Sequence, residues 1–138
     1  MNNQFVIARH SKFGALAFGL LLAVYAFAAG NLPPQTSIQS GVTVKLTPRS
    51  LAGAEWEFEV VFDTHSGELK DDLLTAAVLV ADGRTPSSPT GWQGDGPGGH
   101  HRKGVLRFKP PAASPASIEL RLQRPGEAAP RVFRWQLR

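Results

Sequence analysis

Apolar and polar residues alternate most clearly between positions 55 and 65, in the stretch EWEFEVVFDTH. One face of this stretch carries the large apolar residues Trp56, Phe58, Val60 and Phe62. The other face is polar apart from Val61, and it carries four acids and His65. Side chains point alternately to the two faces of a strand, whereas a helix would scatter the aromatic residues around its axis. The pattern therefore predicts a strand with one buried face.

Shorter alternating runs recur on both sides of this strand. They cover residues 42–46, 105–108, 118–123 and 133–138, and prolines follow the first two. The stretch RPGEAAP at 124–130 joins the last two runs and predicts a hairpin. Residues 73–81 (LLTAAVLVA) fit either a strand or a short helix. Residues 83–99 hold six glycines and three prolines, which predicts a long loop around Trp92.

These runs amount to six or seven short strands within residues 41–138. The spacing is typical of an all-β fold, and we expect an immunoglobulin-like β-sandwich of 6–7 strands. The chain has 138 residues, of which 42% are hydrophobic, so it is large enough for one domain with its own core. It has no cysteine, so the disulfide of true immunoglobulin domains is missing and only the architecture is expected.

The N-terminal part of the chain reads as a targeting segment. Residues 13–29 carry no charge, and Arg9 and Lys12 precede them. A basic start followed by an apolar stretch indicates a signal peptide or an N-terminal membrane anchor, here residues 1–30. Cleavage before Ala29 and an uncleaved transmembrane helix both fit the length. Either way, the remainder is expected to be periplasmic or otherwise extracytoplasmic, secreted or anchored, because the positive side stays in the cytoplasm. Residues 31–40, with Pro33 and Pro34, are predicted to be a linker.

Charge and composition remove several classes of function. The absence of cysteine excludes thiolate zinc sites, Fe–S clusters and cysteine nucleophiles. The net charge of +4 is uneven, since residues 102–138 hold nine Arg and Lys against two acids. These basic residues fall singly, apart from Arg102 and Lys103, and no exposed aromatic residues are expected between them. Nucleic acid is therefore not an expected partner.

Histidines supply the candidate chemistry. Asp63 and His65 lie two apart on the long strand, so their side chains share its polar face. His100 and His101 follow a glycine-rich stretch, which is expected to turn tightly against residues 63–73 or to be a free surface loop. Imidazole and carboxylate groups suit Zn(II) or Cu(II), so Asp63, His65, His100 and His101 form a candidate metal site. The alternative is that these are ordinary surface histidines.

Two neighbouring features complete the candidate site. Arg102 is expected to make a structural ion pair with Asp63, Asp71 or Asp72. Asp71 and Asp72 resemble a catalytic carboxylate dyad only in sequence, and a turn or solvated face is expected for them. The motifs G-x-S-x-G and H-E-x-x-H are absent, and Ser66 would face away from His65 on a strand. No catalytic residue is assigned, and the chain is predicted not to be an enzyme.

Several short motifs together resemble a known family. They are D-T-H-S at 63–66, W-x-G at 92–94 and G-G-H-H-R-x-G-V-L-x-F at 98–108. This combination is similar to a family of uncharacterised exported or membrane-anchored proteins of bacteria and archaea. Lys70 stands where the family pattern would have an acid. The resemblance implies export, and it implies that the two histidine segments and Arg102 belong together.

Two functions follow as hypotheses. The first is a non-enzymatic exported binding module that holds a divalent transition metal, Zn or Cu, through the His and Asp cluster. The second is a structural or protein-interaction accessory module of the cell envelope with no metal. They differ in whether three of the four candidate ligands converge on one point.

Overall fold

The computed structural model describes residues 32–138. Strands alternate with turns and one short helix, and the bounds are β1 Gln35–Gln39, β2 Val42–Ser50, β3 Trp56–Thr64, α1 Leu73–Ala76, β4 Ala77–Ala81, β5 Gly91–Gly94, β6 His101–Phe108, β7 Ser117–Leu122 and β8 Arg131–Gln136. The predicted targeting segment 1–30 lies outside the described residues. Within residues 32–138, no helix is both long and apolar enough to cross a membrane.

The strands form two antiparallel sheets around one core. The first sheet has the order β1-β2-β3-β6-β5, and the second has the order β4-β7-β8. Buried apolar side chains from both sheets form a single cluster between them. This is the arrangement of a β-sandwich and confirms the predicted all-β class.

The alternation in β3 positions the centre of the core. Phe58 is fully buried and packs edge-on against Phe108 of β6, with ring centroids 5.8 Å apart. Its ring also lies 5.9 Å from that of Trp135 in β8, which belongs to the other sheet. The face predicted to be apolar is buried throughout β3, and the alternating residues of β7 and β8 face it. Leu137 lies beyond β8 and is only partly buried.

The predicted linker 31–40 is wrong over half its length, because residues 35–39 form β1. Gln39 pairs with Val42, so Ser40 and Gly41 make a two-residue hairpin turn between β1 and β2. Both turn residues have positive φ, 51° and 72°. Such a turn matches the right-handed twist of paired strands, and it aligns β1 with β2 although β1 has almost no apolar pattern of its own.

The segment 73–81 divides between the two structures that its sequence allows. Asp72 accepts a hydrogen bond from the backbone N–H of Leu74 at 3.1 Å and begins the single turn of α1. This side-chain cap satisfies a backbone donor at the start of the helix. The chain then becomes extended at Ala77 and continues as β4.

The predicted loop 83–99 is also wrong in part, because it contains β5. Gly91–Gly94 pairs with β6 over four residues. The prediction failed because glycines at both ends of so short a strand read as turn formers. One of them, Gly94, is required by its close packing against Gly104 of β6, as described below.

Side chains cover the backbone where β1 and β8 approach each other. The guanidinium group of Arg131 donates to the carbonyl oxygens of Ser37 at 3.1 Å and Gln39 at 2.8 Å. In return, the Gln35 side-chain amide donates to the carbonyl oxygen of Arg134 and accepts from its N–H. These bonds join the two sheets and occupy backbone groups on both edge strands.

Candidate functional site

The register of β3 and β6 places Asp63 directly opposite His101. His101 Nδ1 lies 2.5 Å from Asp63 Oδ1, and the two side chains are 61% and 54% exposed. His101 is the first residue of β6, so this strand begins four residues before the alternating run at 105–108 that predicted it. The strand fixes its ring on the outer face of the five-stranded sheet, beside Asp63.

His65 and His100 lie beside this pair at the same end of the sheet. The N–H of Thr64 donates to the carbonyl oxygen of His100 at 2.9 Å, which holds the two histidine segments side by side. Both His65 and His100 are exposed. Throughout residues 32–138, no group of three or more His, Asp or Glu side chains is arranged to hold a metal ion. We call Asp63, His65, His100 and His101 the histidine end of the sheet.

The glycine-rich loop before His100 is fixed by backbone hydrogen bonds. The N–H of Leu69 donates to the carbonyl oxygen of Gly99 at 3.0 Å, and the N–H of Gly98 donates to the carbonyl oxygen of Leu69 at 2.8 Å. Gly98 and Gly99 have φ angles of 118° and 70°, which favour glycine. The tight turn against residues 63–73 is thus confirmed, and the loop presents His100 on a defined backbone.

Arg102 lies on the opposite face from Asp63 and makes no ion pair with it. Because Arg102 is opposite Phe62 in the register, its side chain points into the sandwich and is only 4% exposed. Its guanidinium group donates to the carbonyl oxygens of Asp71 at 2.6 Å and Asp95 at 3.0 Å. The predicted ion pair is therefore replaced by hydrogen bonds to backbone oxygens. The register of β6 against β3 determines this outcome. His101 lies opposite Asp63 on the outer face, so its neighbour Arg102 must point to the inner face.

Trp92 completes the environment of Arg102. The guanidinium carbon of Arg102 lies 5.4 Å from the centroid of the Trp92 ring, within the range of a cation–π contact. The indole N–H donates to the carbonyl oxygen of Asp95 at 3.0 Å. Gly94 and Gly104 are paired across β5 and β6, and a Cβ on Gly104 would lie 2.5 Å from the Trp92 ring. The W-x-G and R-x-G motifs therefore pack against each other inside the fold.

A chain of buried charges, not anticipated from the sequence, lies behind the histidine end. Asp71 is nearly fully buried and accepts two hydrogen bonds from Arg124, at 2.9 and 3.1 Å. Arg124 also donates to Glu127 at 3.3 Å, and Glu127 accepts from Arg131. The acids and bases alternate, and no buried side-chain polar atom of residues 32–138 lacks a partner. The only sequence signal for these ion pairs was their spacing around the predicted hairpin. Glu127 follows Arg124 by three residues and precedes Arg131 by four.

The electrostatics of two glutamates follow from these contacts. Hydrogen bonds from Arg131, with help from the nearby Arg124 charge, hold the pKa of Glu127 below its ordinary value despite burial. Near the histidine end, the exposed Glu68 pairs with Lys70, which lowers the pKa of Glu68. The neighbouring His100 acts in the same direction, so His100 and Glu68 share one part of the surface.

Basic residues late in the chain form ion pairs with acids that come earlier in the sequence. Glu59 of β3 pairs with Arg49 and with Lys103, 3.3 Å away. Burial alone would raise the pKa of Glu59, but the hydrogen bonds from these two cations hold it below its ordinary value. Arg107 of β6 contacts Glu57 in the same way, at 3.1 Å. Part of the basic charge on β6 is thus balanced by acids of β3.

The Asp63–His101 pair defines what this surface offers chemically. A carboxylate oxygen accepts hydrogen bonds, so Nδ1 of His101 carries the proton in this contact. In the neutral ring, Nε2 then has a free lone pair. No hydrogen bond within residues 32–138 engages it. Nε2 is available to accept a hydrogen bond or to ligate a metal ion.

Comparison of the chain with protein-family models, curated proteins and solved structures finds no match. The resemblance drawn from the D-T-H-S and G-G-H-H-R motifs therefore stays a prediction. The structure gives these motifs local roles in packing and hydrogen bonding.

Proposed function

We propose that this chain is a non-enzymatic, exported binding module that contacts a protein partner through the histidine end. The observation that carries this proposal is the orientation of His101 by Asp63, with Nε2 free, on a backbone fixed by the Leu69–Gly99 hydrogen bond. Recognition surfaces depend on polar groups held in position by a rigid scaffold. Here the scaffold is buried and the recognising groups are exposed.

The nature of the exposed groups favours a protein partner. The Asp63 carboxylate is already engaged by His101, and Glu68 is engaged by Lys70. The surface therefore presents hydrogen-bond donors and acceptors that are spread out and partly satisfied. Protein interfaces commonly carry such polar groups. The role of accessory module in the cell envelope follows from this surface together with the proposed export.

A divalent metal is a second candidate, supported by one specific observation. Histidines that ligate metals commonly donate their other ring N–H to a carboxylate. Asp63 stands in that relation to His101. Asp63 would then orient the ring without ligating the ion, and Nε2 of His101 would be the ligand, with His65 and His100 as its candidate companions. Zn(II) and Cu(II) are the ions that suit imidazole groups.

Site-directed photocrosslinking in the source cells tests the protein partner. A photoreactive amino acid at His65 or His100 is compared with one at Arg121, which lies on β7 in the other sheet. We expect a discrete adduct of the same mass from both histidine positions and none from position 121. Adducts from all three positions, or from none, would contradict the proposal.

Calorimetric titration of the purified full-length chain with Zn(II) and with Cu(II) tests the second candidate. The parent is compared with a His65→Ala/His101→Ala double variant and with His10→Ala, which alters a histidine outside the candidate site. Loss of binding heat in the double variant alone supports a metal at the histidine end. Equal binding heats in all three proteins would contradict metal binding at the histidine end and would leave the protein-partner proposal unaffected.

The export and the finer fold class are part of the proposal. Arg9 and Lys12 before the apolar segment 13–29 support an orientation with residues 41–138 outside the cytoplasmic membrane. A reporter fused after Arg138 that is active only in the cytoplasm would refute this. The immunoglobulin-like architecture is supported by two antiparallel sheets around one core.

A further inference from the structure

We propose that the end of the sandwich at which the chain enters lies against an anionic lipid surface. We call this the entry end, and it comprises the loops 51–55, 82–90 and 109–116 and residues 137–138. The recognised chemistry is the phosphate of lipid headgroups, and the contacting cations are Arg84, Lys109 and Arg138. The inference rests on the proposed export with an uncleaved anchor, and it does not depend on the partner proposed for the histidine end.

Contacts of the first described residues place the chain entry beside the end of β8. The indole N–H of Trp135 donates to the carbonyl oxygen of Pro33 at 2.8 Å, and the partly buried Leu32 packs against the core. The N–H of Leu137, just after β8, donates to the carbonyl oxygen of Ala116 at 2.7 Å. The chain entry, the end of β8 and the loop 109–116 therefore lie together.

The loop that carries Arg84 meets the same end of the sandwich. The N–H of Ser117, at the start of β7, donates to the Asp82 carboxylate at 2.9 Å, so the loop after β4 is joined to the loop before β7. Lys109 lines one cavity with residues 85 and 87. Arg138 directly follows Leu137. The three cations thus lie around the point at which the chain enters.

The distances along the chain separate the two ends of the sandwich. β2 runs from Val42, which pairs with Thr64 beside the histidine end, to Ser50 at the entry end. Its nine residues span about 26 Å at roughly 3.3 Å per residue. The apolar segment 13–29 is followed by residues 30 and 31, so Leu32 lies within about 11 Å of its last residue.

These distances decide which end is influenced by a charged membrane. The Debye length at physiological ionic strength is about 8 Å, so surface charge acts over roughly that distance. The entry end is held within about this range by the short connection to the apolar segment. The histidine end is a further strand length away. It therefore faces the aqueous compartment, where a protein partner can reach it.

The cations of the entry end are free to contact headgroups. Arg84, Lys109 and Arg138 are exposed, and none of them makes an ion pair within residues 32–138. The two acids of the same loops, Glu55 and Asp82, already accept hydrogen bonds from the chain itself. Each Lys or Arg near an anionic lipid surface adds a modest attraction. A tether keeps the domain at the surface, so modest attractions suffice to orient it.

The charge of the opposite end reinforces this orientation. The loops 65–72 and 95–100, which flank the histidine end, expose three acids and one lysine. The acids are Glu68, Asp72 and Asp95, and the lysine is Lys70. An anionic surface repels this excess of acids and attracts the cations of the entry end. Charge complementarity therefore selects the entry end as the side that faces lipid.

Quenching of single fluorescent labels by lipid tests the orientation. The chain contains no cysteine, so Ser114→Cys labels the entry end alone and Ser66→Cys labels the histidine end alone. The labelled full-length chain is reconstituted in vesicles that contain a headgroup spin-labelled lipid, which quenches nearby fluorescence. In phosphatidylcholine vesicles with added phosphatidylglycerol, we expect the label at 114 to be quenched at least about twofold more than the label at 66. The difference should shrink in phosphatidylcholine alone and in high salt.

Two sets of charge removals form a matched pair. The first replaces Arg84, Lys109 and Arg138 of the entry end with glutamine. The second replaces three exposed lysines on the rest of the described surface with glutamine, namely Lys45, Lys70 and Lys103. The first set should lower the quenching at 114 to its value in neutral vesicles, and the second set should leave it unchanged. Unaltered circular dichroism shows that both variants fold.

Three outcomes would overturn the proposal. One is equal quenching of the two labels in anionic vesicles, which would mean that neither end prefers the lipid. Another is quenching at 114 that responds neither to phosphatidylglycerol nor to the first set of charge removals. The third is a protein in the source cells that begins at Ala29, since cleavage removes the tether. The crosslinking test at His65 and His100 reports on the opposite end, so the two proposals fail independently.

Discussion

Gly104 packs so closely under Trp92 that a Cβ on the glycine would lie 2.5 Å from the indole ring. Gly104→Ala should therefore push the ring away from β6 and from the Arg102 guanidinium group. We expect the variant to lose about 1–3 kcal/mol of unfolding free energy, the usual cost of overpacking. Chemical denaturation measures the loss.

The matched control for this substitution is Gly91→Ala in the same strand pair. A Cβ at Gly91 would meet nothing within 4 Å, and its φ is not positive. This variant should unfold close to the parent. Equal stabilities of the two variants would show that the Trp92 contact does not constrain Gly104.

Asp71 should be among the most sensitive positions in the chain. Asp71→Asn removes the charge that compensates Arg124, which is itself buried. Breaking a buried pair from one side costs about 3–5 kcal/mol because the remaining charge stays desolvated. Urea unfolding of this variant is compared with that of Glu68→Gln, an exposed acid whose change should cost less than about 0.5 kcal/mol. An Asp71→Asn midpoint equal to that of the parent would contradict the buried charge chain.

Acid should weaken the fold through Glu127. Its pKa in the folded chain lies below the ordinary value of 4.5, chiefly because Arg131 donates hydrogen bonds to it. The stabilisation from this carboxylate is therefore complete above pH 4.5 and is lost as the pH falls through the folded-state pKa. Unfolding free energies measured across the acid range should fall less steeply for Glu127→Gln, which is already weaker at neutral pH. Identical slopes for parent and variant would refute the role of Glu127.

Truncation of Phe58 tests the assignment of the two faces of β3. Its ring contacts both sheets, so Phe58→Ala should cost about 3–5 kcal/mol. Val61→Ala on the outer face removes less buried surface and should cost clearly less. The melting temperatures of the two variants are compared with that of the parent. A Phe58→Ala protein with the melting temperature of the parent would mean that the two faces of β3 are reversed.

The strands that could be predicted are those whose side chains alternate over a buried face. In β3, β7 and β8 that alternation is strong, because each residue type follows directly from the side of the sheet that it occupies. β1 and β5 lie at edges and contribute little to the core, so their sequences carry no such pattern. For β1, the Ser40-Gly41 dipeptide was the available signal, since such pairs favour hairpin turns.

The sequence indicated which residues of the candidate site lie close together, but it did not indicate which way their side chains point. The register brings Asp63 and His101 together, while Arg102 turns inward because adjacent strand residues face opposite ways. An error of a few residues in the start of β6 hid this alternation. The buried partners Asp71 and Arg124 are 53 positions apart. Isolated charged residues usually lie in solvent, so nothing local marked them as buried.

A newly synthesised chain can complete its fold only when the last described strand is available to contact the first. Trp135 donates to the carbonyl oxygen of Pro33 at 2.8 Å across 102 positions of sequence. Ribosomes add about 5–20 residues per second, so β1 emerges roughly 5–20 seconds before the residues that cover it. During that interval the carbonyl groups later bound by Arg131 are open to other chains. A chaperone that shields these carbonyl groups would therefore act on the nascent chain, before Arg131 is in place.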